Sequence, residues 1–101
     1  MSNTNSISPA EFKKLLAQPP EHLFILDVRN PSEYREYNIN GYLIPFVDLP
    51  TRTHELPSKD TYIVVHCAHG VRSHHAAEFL RHEGYTHCVS LEGGLEEFRK
   101  L

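Results

Sequence analysis

The residues best suited to chemistry lie in one short segment, His66-Cys67-Ala68-His69-Gly70-Val71-Arg72-Ser73. Cys67 comes at the end of an apolar run whose length is typical of a buried strand, and helical periodicity begins at Ser73. In open α/β sheets, ligands bind just outside the carboxyl ends of the strands. The segment therefore predicts a nucleophilic cysteine that can carry a covalent, anionic adduct.

The residues around Cys67 suggest how such a thiol would be activated. Backbone N–H groups of a tight loop can converge on the sulfur as an anion nest, and the N-terminus of the following helix adds positive potential. Arg72 can supply a permanent positive charge, and Gly70 allows a tight turn or a positive φ. Each of these effects favours the thiolate over the thiol at Cys67.

Simpler interpretations exist for the same residues. Cys67 could be a packed core cysteine. Arg72 could be a surface ion-pair partner, although its position in the loop favours a role as the cation that stabilises the thiolate. Asp27 and Arg29 are expected to brace the site, because an acid in an apolar strand needs a partner. Cys88 is interpreted as a buried residue that serves only for packing. A disulfide with Cys67, or a role for Cys88 as a resolving thiol, is the less favoured alternative.

The eight histidines of the chain raise the question of a metal site. Four of them are close to Cys67 in sequence: His66, His69, His74 and His75. The chain has no Cys-x-x-Cys or His-x-x-x-His pair, so the ligand spacing is poor for zinc, and we predict neither a metal nor a cofactor. His74 and His75 fall on the polar face of the predicted helix. His66 is expected to be packed and hydrogen-bonded, and His69 to tune substrate charge from within the loop.

The length and composition limit the class of protein. The chain has 101 residues, 40% of them hydrophobic and 23% charged, which favours one globular domain over residues 7–101 after a frayed segment at 1–6. A net charge of −3 argues against a nucleic-acid partner held through phosphates. No apolar run approaches the length of a membrane span, and no secretory signal is visible. With two cysteines, a reducing, cytoplasmic location is expected.

Strand and helix patterns alternate along the chain. The sequence predicts buried strands at Leu23–Val28, Tyr62–His66 and His87–Leu91, and a possible strand at Leu43–Ile44. Capping boxes at Ser8/Glu11 and Asn30/Glu33 predict two helix starts, and this capping role accounts for Glu33. Further helices are expected at Ser73–Glu83 and after Gly94, with a helical turn over 50–56. The alternation predicts an α/β domain around a parallel sheet.

These residues resemble the motifs of the rhodanese-like sulfurtransferases. Cys67, Gly70 and Arg72 match the active-site pattern Cys-x-x-Gly-x-Arg. Leu26-Asp27-Val28-Arg29, followed by Pro31, Glu33 and Tyr34, resembles the first signature of the family, and Leu91-Glu92-Gly93-Gly94, followed by Phe98, resembles the last. The resemblance covers about residues 7–100. It implies a rhodanese-like α/β fold, with a central parallel β-sheet flanked by helices on both faces.

The resemblance also implies a reaction. Cys67 would take sulfane sulfur from a donor such as thiosulfate, hold it as a persulfide, and pass it to cyanide or to a thiol, which can belong to a protein. Backbone N–H groups of the loop Ala68, His69, Gly70, Val71, Arg72 and Ser73 would stabilise the terminal sulfur. Two alternatives stay open: a persulfide relay in thiolation or cofactor biosynthesis, and a non-catalytic interaction module.

Loop length and two departures refine this expectation. Cysteine phosphatases have five residues between Cys and Arg, whereas four separate Cys67 from Arg72 here, which favours a cradle sized for sulfur. Ala68 stands where relatives often have a polar residue, so thiosulfate loses one possible cation. Asn38 replaces a usual histidine, and the neighbouring Tyr42 and Phe46 are expected to contribute to the wall of the site.

Overall fold

The computed structural model describes residues 5–101, in which strands and helices alternate. The strands are β1 (Ser6–Ile7), β2 (Leu23–Asp27), β3 (Tyr42–Leu43), β4 (Tyr62–His66) and β5 (Cys88–Leu91). The helices are α1 (Pro9–Ala17), α2 (Pro31–Glu36), α3 (Leu49–Arg52), α4 (Val71–His82) and α5 (Gly94–Phe98), with 3-10 turns at Phe46–Asp48 and Thr53–Glu55.

The strands form one parallel sheet in the order β1-β5-β4-β2-β3. Asp27 of β2 pairs in register with His66 of β4, so both strands end at the same edge. Cys67 directly follows the end of β4, and Arg29 lies two residues after the end of β2. The predicted parallel α/β architecture is confirmed. It brings the segment 26–29 close to the loop that follows Cys67.

Helices cover both faces of the sheet. Because side chains alternate along a strand, Ile63 and Val65 of β4 face one core, in which Leu80 of α4 is buried. Val64 faces the other core and packs with Phe12 of α1. The Phe98 ring of α5 lies 5.3 Å from the Phe12 ring, which closes this second layer.

The two capping boxes form as the sequence predicts. Ser8 accepts a hydrogen bond from the Glu11 backbone N–H and caps α1, while Asn30 does the same for Glu33 and α2. Each box fixes the point at which a helix begins after a strand.

The structure differs from the sequence prediction in several bounds. Strand β2 ends at Asp27 and β5 begins at Cys88, each one residue inside its predicted range. Ser6 is not frayed, since it lies in β1 and pairs with Ser90 of β5. Residues 1–4 of the predicted frayed segment lie outside the described residues. The third strand lies at Tyr42–Leu43, one residue before its predicted position. Helix α4 begins at Val71 rather than Ser73, because Gly70 adopts a left-handed conformation and ends the loop earlier.

Candidate active site

Cys67 lies at the carboxyl end of β4 and its side chain is buried, with 1% exposed. Two backbone N–H groups donate to its sulfur, from Gly70 at 3.1 Å and from Ser73 at 3.3 Å. The Ser73 hydroxyl oxygen lies 3.5 Å from the same sulfur. Backbone N–H groups therefore converge on Sγ from the loop and from the first turn of α4, an arrangement that stabilises negative charge on sulfur.

The loop depends on glycine at two positions. Gly70 has φ +96°, and it is the residue before α4. Gly94 has φ +67°, and a Cβ there would lie 2.5 Å from the Ala68 carbonyl carbon and oxygen. The N–H groups of Leu95 and Glu96 donate to the carbonyls of Cys67 and Ala68, at 2.8 and 3.0 Å. The start of α5 thus supports the loop from below, a role that the Gly93-Gly94 pair signals in the sequence.

Arg72 does not contact the sulfur by a hydrogen bond. Its guanidinium makes two hydrogen bonds to the Glu33 carboxylate, at 2.9 and 3.0 Å. Arg72 is the main cause that holds the pKa of Glu33 at about 2, against the opposing effect of burial, and Glu33 in turn raises the pKa of Arg72. The positive charge of Arg72, which was predicted to stabilise the Cys67 thiolate, is therefore paired with the Glu33 carboxylate.

Glu33 has more than the capping role that the sequence indicates. Its Oε1 accepts the Asn30 N–H at 3.0 Å, as in a capping box, while both carboxylate oxygens bind Arg72. The assignment of Glu33 to capping alone was wrong, because the ion pair joins residues that are far apart in sequence. Glu33 connects the start of α2 to the start of α4.

Asp27 and Arg29 form a buried ion pair beside the site. The Arg29 Nη2 lies 2.8 Å from Asp27 Oδ2, and Nε lies 3.0 Å from Oδ1. Arg29 also donates to the backbone carbonyls of Glu33 and Tyr37, at 3.3 and 2.8 Å. The pair joins the end of β2 to α2, which is a bracing role.

His66 is buried and neither of its imidazole nitrogens makes a hydrogen bond within residues 5–101. The expectation of a hydrogen-bonded histidine was wrong. Its Nε2 lies 3.7 Å from Asp27 Oδ2, but that carboxylate is already bound to Arg29. Burial lowers the pKa of His66 to about 4, although Asp27 partly opposes the shift. The imidazole is therefore neutral near pH 7.

Two clefts open beside the loop. A cleft of about 400 Å³ is lined by Ser6, His69, Gly70, Val71, His74, His75, Ser90, Glu92 and Gly93. A smaller cleft of about 220 Å³ is lined by Arg29, Glu33, Glu36, Tyr37, Ala68, His69, Glu96 and Arg99. The exposed His69 borders both clefts, so it lies where a substrate approaching the loop would meet it.

The histidines near Cys67 do not assemble into a metal site. No group of three or more His, Cys, Asp or Glu residues in the described part of the chain could hold a metal ion. His74 and His75 are exposed on α4, as its periodicity predicts, with ring centroids 5.4 Å apart.

The segment between α2 and α3 has a different role from the one expected. Asn38 donates from Nδ2 to the Tyr34 carbonyl at 3.0 Å and shapes the turn. The Tyr42 hydroxyl donates to Glu55, and the Tyr42 ring lies 5.6 Å from Phe24. Phe46 packs against the core under α4. Neither Tyr42 nor Phe46 lines either cleft at the loop.

Comparisons with known proteins match nearly the whole described chain to one family. The family model for the rhodanese-like domain matches residues 8–101. A sulfurtransferase of Allochromatium vinosum is 33% identical over 92 residues, covering 90% of this chain and 84% of that protein. A tRNA uridine(34) hydroxylase of Streptococcus thermophilus is 35% identical over 100 residues, covering 93% of this chain but only 30% of its own length.

A solved structure shows the same fold. The rhodanese-related protein of Thermoplasma volcanium superimposes with a TM-score of 0.82 at 32% identity, covering 95% of this chain and 91% of that protein. Within the described residues, no helix is both long and apolar enough to cross a membrane.

Proposed function

This chain belongs to the rhodanese-like domain family, and we propose that it is a sulfurtransferase that carries sulfane sulfur as a persulfide on Cys67. The donor is a sulfane-sulfur compound such as thiosulfate, and the acceptor is cyanide or a thiol, which can belong to a protein. The two cysteines are free, and the reaction needs a reduced thiol. A reducing compartment such as the cytoplasm is the location we propose, because it keeps such a thiol reduced.

The observation that carries the proposal is the environment of the Cys67 sulfur. The backbone N–H groups of Gly70 and Ser73 both donate to Sγ, and the start of α4 lies directly beyond them. Fixed N–H donors stabilise a thiolate and the anionic terminal sulfur of a persulfide without any movement of side chains. A cysteine that served only for packing would not need this convergence of polar groups.

The proposed reaction has two half-reactions. The Cys67 thiolate attacks the outer sulfur of thiosulfate, a new S–S bond forms, and sulfite leaves with the electron pair of the old S–S bond. A nucleophilic acceptor then attacks the terminal sulfur of the persulfide, and the bond electrons return to Cys67 as thiolate. Because the enzyme carries the sulfur between two steps, steady-state kinetics should be ping-pong.

The intact mass of the protein tests this proposal. Incubation with thiosulfate should add one sulfur atom to the wild type and none to Cys67→Ser. Cys88→Ser is the matched control, because Cys88 is an equally buried cysteine whose sulfur accepts no N–H hydrogen bond within residues 5–101, and it should gain sulfur like the wild type. No gain in the wild type with thiosulfate or any persulfide donor would favour the non-catalytic module instead.

A persulfide relay is the second candidate, and the Arg72 ion pair favours it. Glu33 neutralises Arg72, and Ala68 adds no polar group, so the loop offers little charge to hold a dianion such as thiosulfate. A donor that carries its sulfane sulfur on a thiol needs less positive charge. Comparing kcat/KM for thiosulfate with that for small-molecule and protein persulfides separates the two candidates.

The hydroxylase activity of the tRNA-modifying relatives is not proposed for this chain. The match spans only 30% of the Streptococcus thermophilus protein, so most of that protein has no counterpart here.

A further inference from the structure

The buried thiol of Cys67 raises the question of where its proton goes. With 1% of the residue exposed, bulk water has little access to Sγ. Among the described residues, the groups hydrogen-bonded to this sulfur are two backbone N–H donors and the hydroxyl of Ser73. An N–H donor cannot take up a proton, so the Ser73 oxygen, 3.5 Å from Sγ, is the one acceptor of this set.

Ser73 leads to a second buried hydroxyl. Its Oγ lies 2.8 Å from the Oγ of Ser90 on β5, and both residues are buried. The Ser73 hydroxyl also lies 3.3 Å from the Gly70 carbonyl, but a carbonyl has no proton of its own to pass on. The shorter contact to Ser90 is therefore the one through which a proton can continue.

Ser90 is one of the residues that line the larger cleft beside the loop. That cleft of about 400 Å³ is wide enough for water. The titratable groups that line it are His69 from the loop, His74 and His75 from α4, and Glu92 after β5. Glu92 accepts a hydrogen bond from the Ser6 hydroxyl at 2.7 Å. Histidine is the side chain that takes up and releases protons near neutral pH, so the cleft can receive a proton that arrives at Ser90.

His66 does not offer an alternative base. It precedes Cys67 in sequence, but its Nε2 lies 3.7 Å from Asp27, and neither imidazole nitrogen is hydrogen-bonded within residues 5–101. Adjacent residues of an extended strand point to opposite faces of the sheet. His66 and the Cys67 sulfur are therefore directed apart.

We propose that Ser73 and Ser90 form a proton exit that converts the Cys67 thiol to the thiolate. The thiol proton moves to the Ser73 oxygen as the Ser73 proton moves to the Ser90 oxygen, and the Ser90 proton passes to water or an imidazole in the cleft. Both serines end neutral, and the net change is one thiolate and one proton delivered to the cleft. The proposal rests on the sulfurtransferase function, since it supplies the nucleophile for that reaction.

An isosteric pair of variants tests the role of the Ser90 hydroxyl. Ser90→Thr keeps the hydroxyl, whereas Ser90→Val has the same shape without it. The rate of persulfide loading by thiosulfate is measured by rapid quench and intact mass between pH 6 and 10. We expect Ser90→Val to load about tenfold more slowly at neutral pH, with the difference shrinking as hydroxide replaces the exit at high pH. Ser90→Thr should remain close to the wild type.

The controls separate a proton path from a packing effect. Ser58→Ala removes a hydroxyl that lies outside both clefts beside the loop and outside the path, and it should load as the wild type does. Ser73→Ala interrupts the path from the other end and should show the same shift toward high pH. Equal slowing of Ser90→Val and Ser90→Thr at every pH would show a packing effect and overturn the proposal.

Two other results would also contradict the exit, with different consequences. If Ser90→Val loads at the wild-type rate at every pH, the exit is wrong and the sulfurtransferase proposal stands. If the wild type itself gains no sulfur from any donor, both proposals fail.

Discussion

The two cysteines of this protein occupy opposite ends of neighbouring strands. Each follows a histidine, and each is buried with 1% of its surface exposed. Cys67 comes directly after β4, whereas Cys88 is the first residue of β5 and pairs in register with Ile63 near the start of β4. Because β4 and β5 are parallel, Cys67 lies at the carboxyl ends of the strands and Cys88 at their amino ends.

The polar groups around each sulfur differ accordingly. Two N–H groups donate to the Cys67 sulfur. At Cys88, burial raises the pKa of the thiol to about 12, with Arg81 only partly opposing the shift, and Arg81 donates to the Cys88 carbonyl rather than to the sulfur. Two equally buried sulfurs therefore have different hydrogen-bond surroundings. The backbone N–H groups of the loop and helix that follow a strand make the carboxyl edge suitable for chemistry.

Alkylation of the native protein should give the largest difference between these two sites. At pH 8, a thiol with a pKa of about 12 is thiolate in roughly one molecule in ten thousand. We expect iodoacetamide to modify Cys67 at least about a hundredfold faster than Cys88, as measured by peptide mass. In denaturant the two rates should converge. Equal rates in the folded protein would remove the distinction between the two edges.

Gly94→Ala, next to the Cys67 loop, should lower stability far more than Gly84→Ala, which lies toward the Cys88 end of the sheet. A Cβ at Gly94 meets the backbone of Ala68 at 2.5 Å, whereas one at Gly84 meets the flexible Lys59 side chain at 3.2 Å. Both glycines have positive φ. We expect Gly84→Ala to cost about 1 kcal/mol in unfolding free energy and Gly94→Ala about 3 kcal/mol, with sulfur loading lost only in the second. Urea denaturation and the mass assay check this ranking.

The histidines that precede the two cysteines should differ in their effect on acid stability. The buried His66 has a pKa of about 4, below the usual value of 6.5, so the unfolded chain binds a proton first as the pH falls. The contribution of neutral His66 to the free energy of unfolding is therefore fully present above pH 6.5. It is lost progressively toward pH 4, by about 3 kcal/mol.

Urea unfolding from pH 7.5 to 4 measures this loss, and NMR titration of the His66 ring tests its cause directly. His87, the residue before Cys88, is exposed, so His87→Gln should leave the acid-sensitive component in place. A His66 ring that titrates near 6.5 in the folded protein would contradict the assignment.

Release of Arg72 should give the smallest effect. Glu33→Gln removes the charge of a pair that is about one-third exposed, so we expect a loss of less than about 1 kcal/mol. Arg72 would then be free to attract an anion, and KM for thiosulfate should fall. Glu55→Gln, which breaks the Arg52 pair away from both cysteines, should leave KM unchanged. An unchanged KM in Glu33→Gln would mean that Arg72 has no access to the donor.

Most of the fold could be predicted from local patterns. Apolar runs and capping boxes predicted the strands β2, β4 and β5 and the starts of α1 and α2. Strand β1 was missed because two residues, Ser6 and Ile7, are too short for a periodic signal and are held by pairing with β5. The start of α4 was placed two residues late, since the left-handed conformation of Gly70 is a property of the folded loop.

The motif around Cys67 could be predicted, but its partners could not. Cys67, Gly70 and Ser73 are local in sequence, and the loop brings their sulfur and N–H groups together. Glu33 and Ser90 are distant from them in the chain, and no spacing rule connects them. The absence of a hydrogen bond to His66 was equally unpredictable, because it depends on Arg29 having occupied Asp27.

The sequence by itself determined the alternation of strands and helices and the family, and it predicted the segment proposed to react. These depend on residue types at short spacings, which local backbone geometry translates directly into a strand, a loop and a helix. The tertiary structure decided which of two equally buried cysteines meets N–H donors, that Arg72 is bound by Glu33, and that Ser73 meets Ser90. Those outcomes depend on the order and register of parallel strands, which bring together side chains that are far apart in the chain.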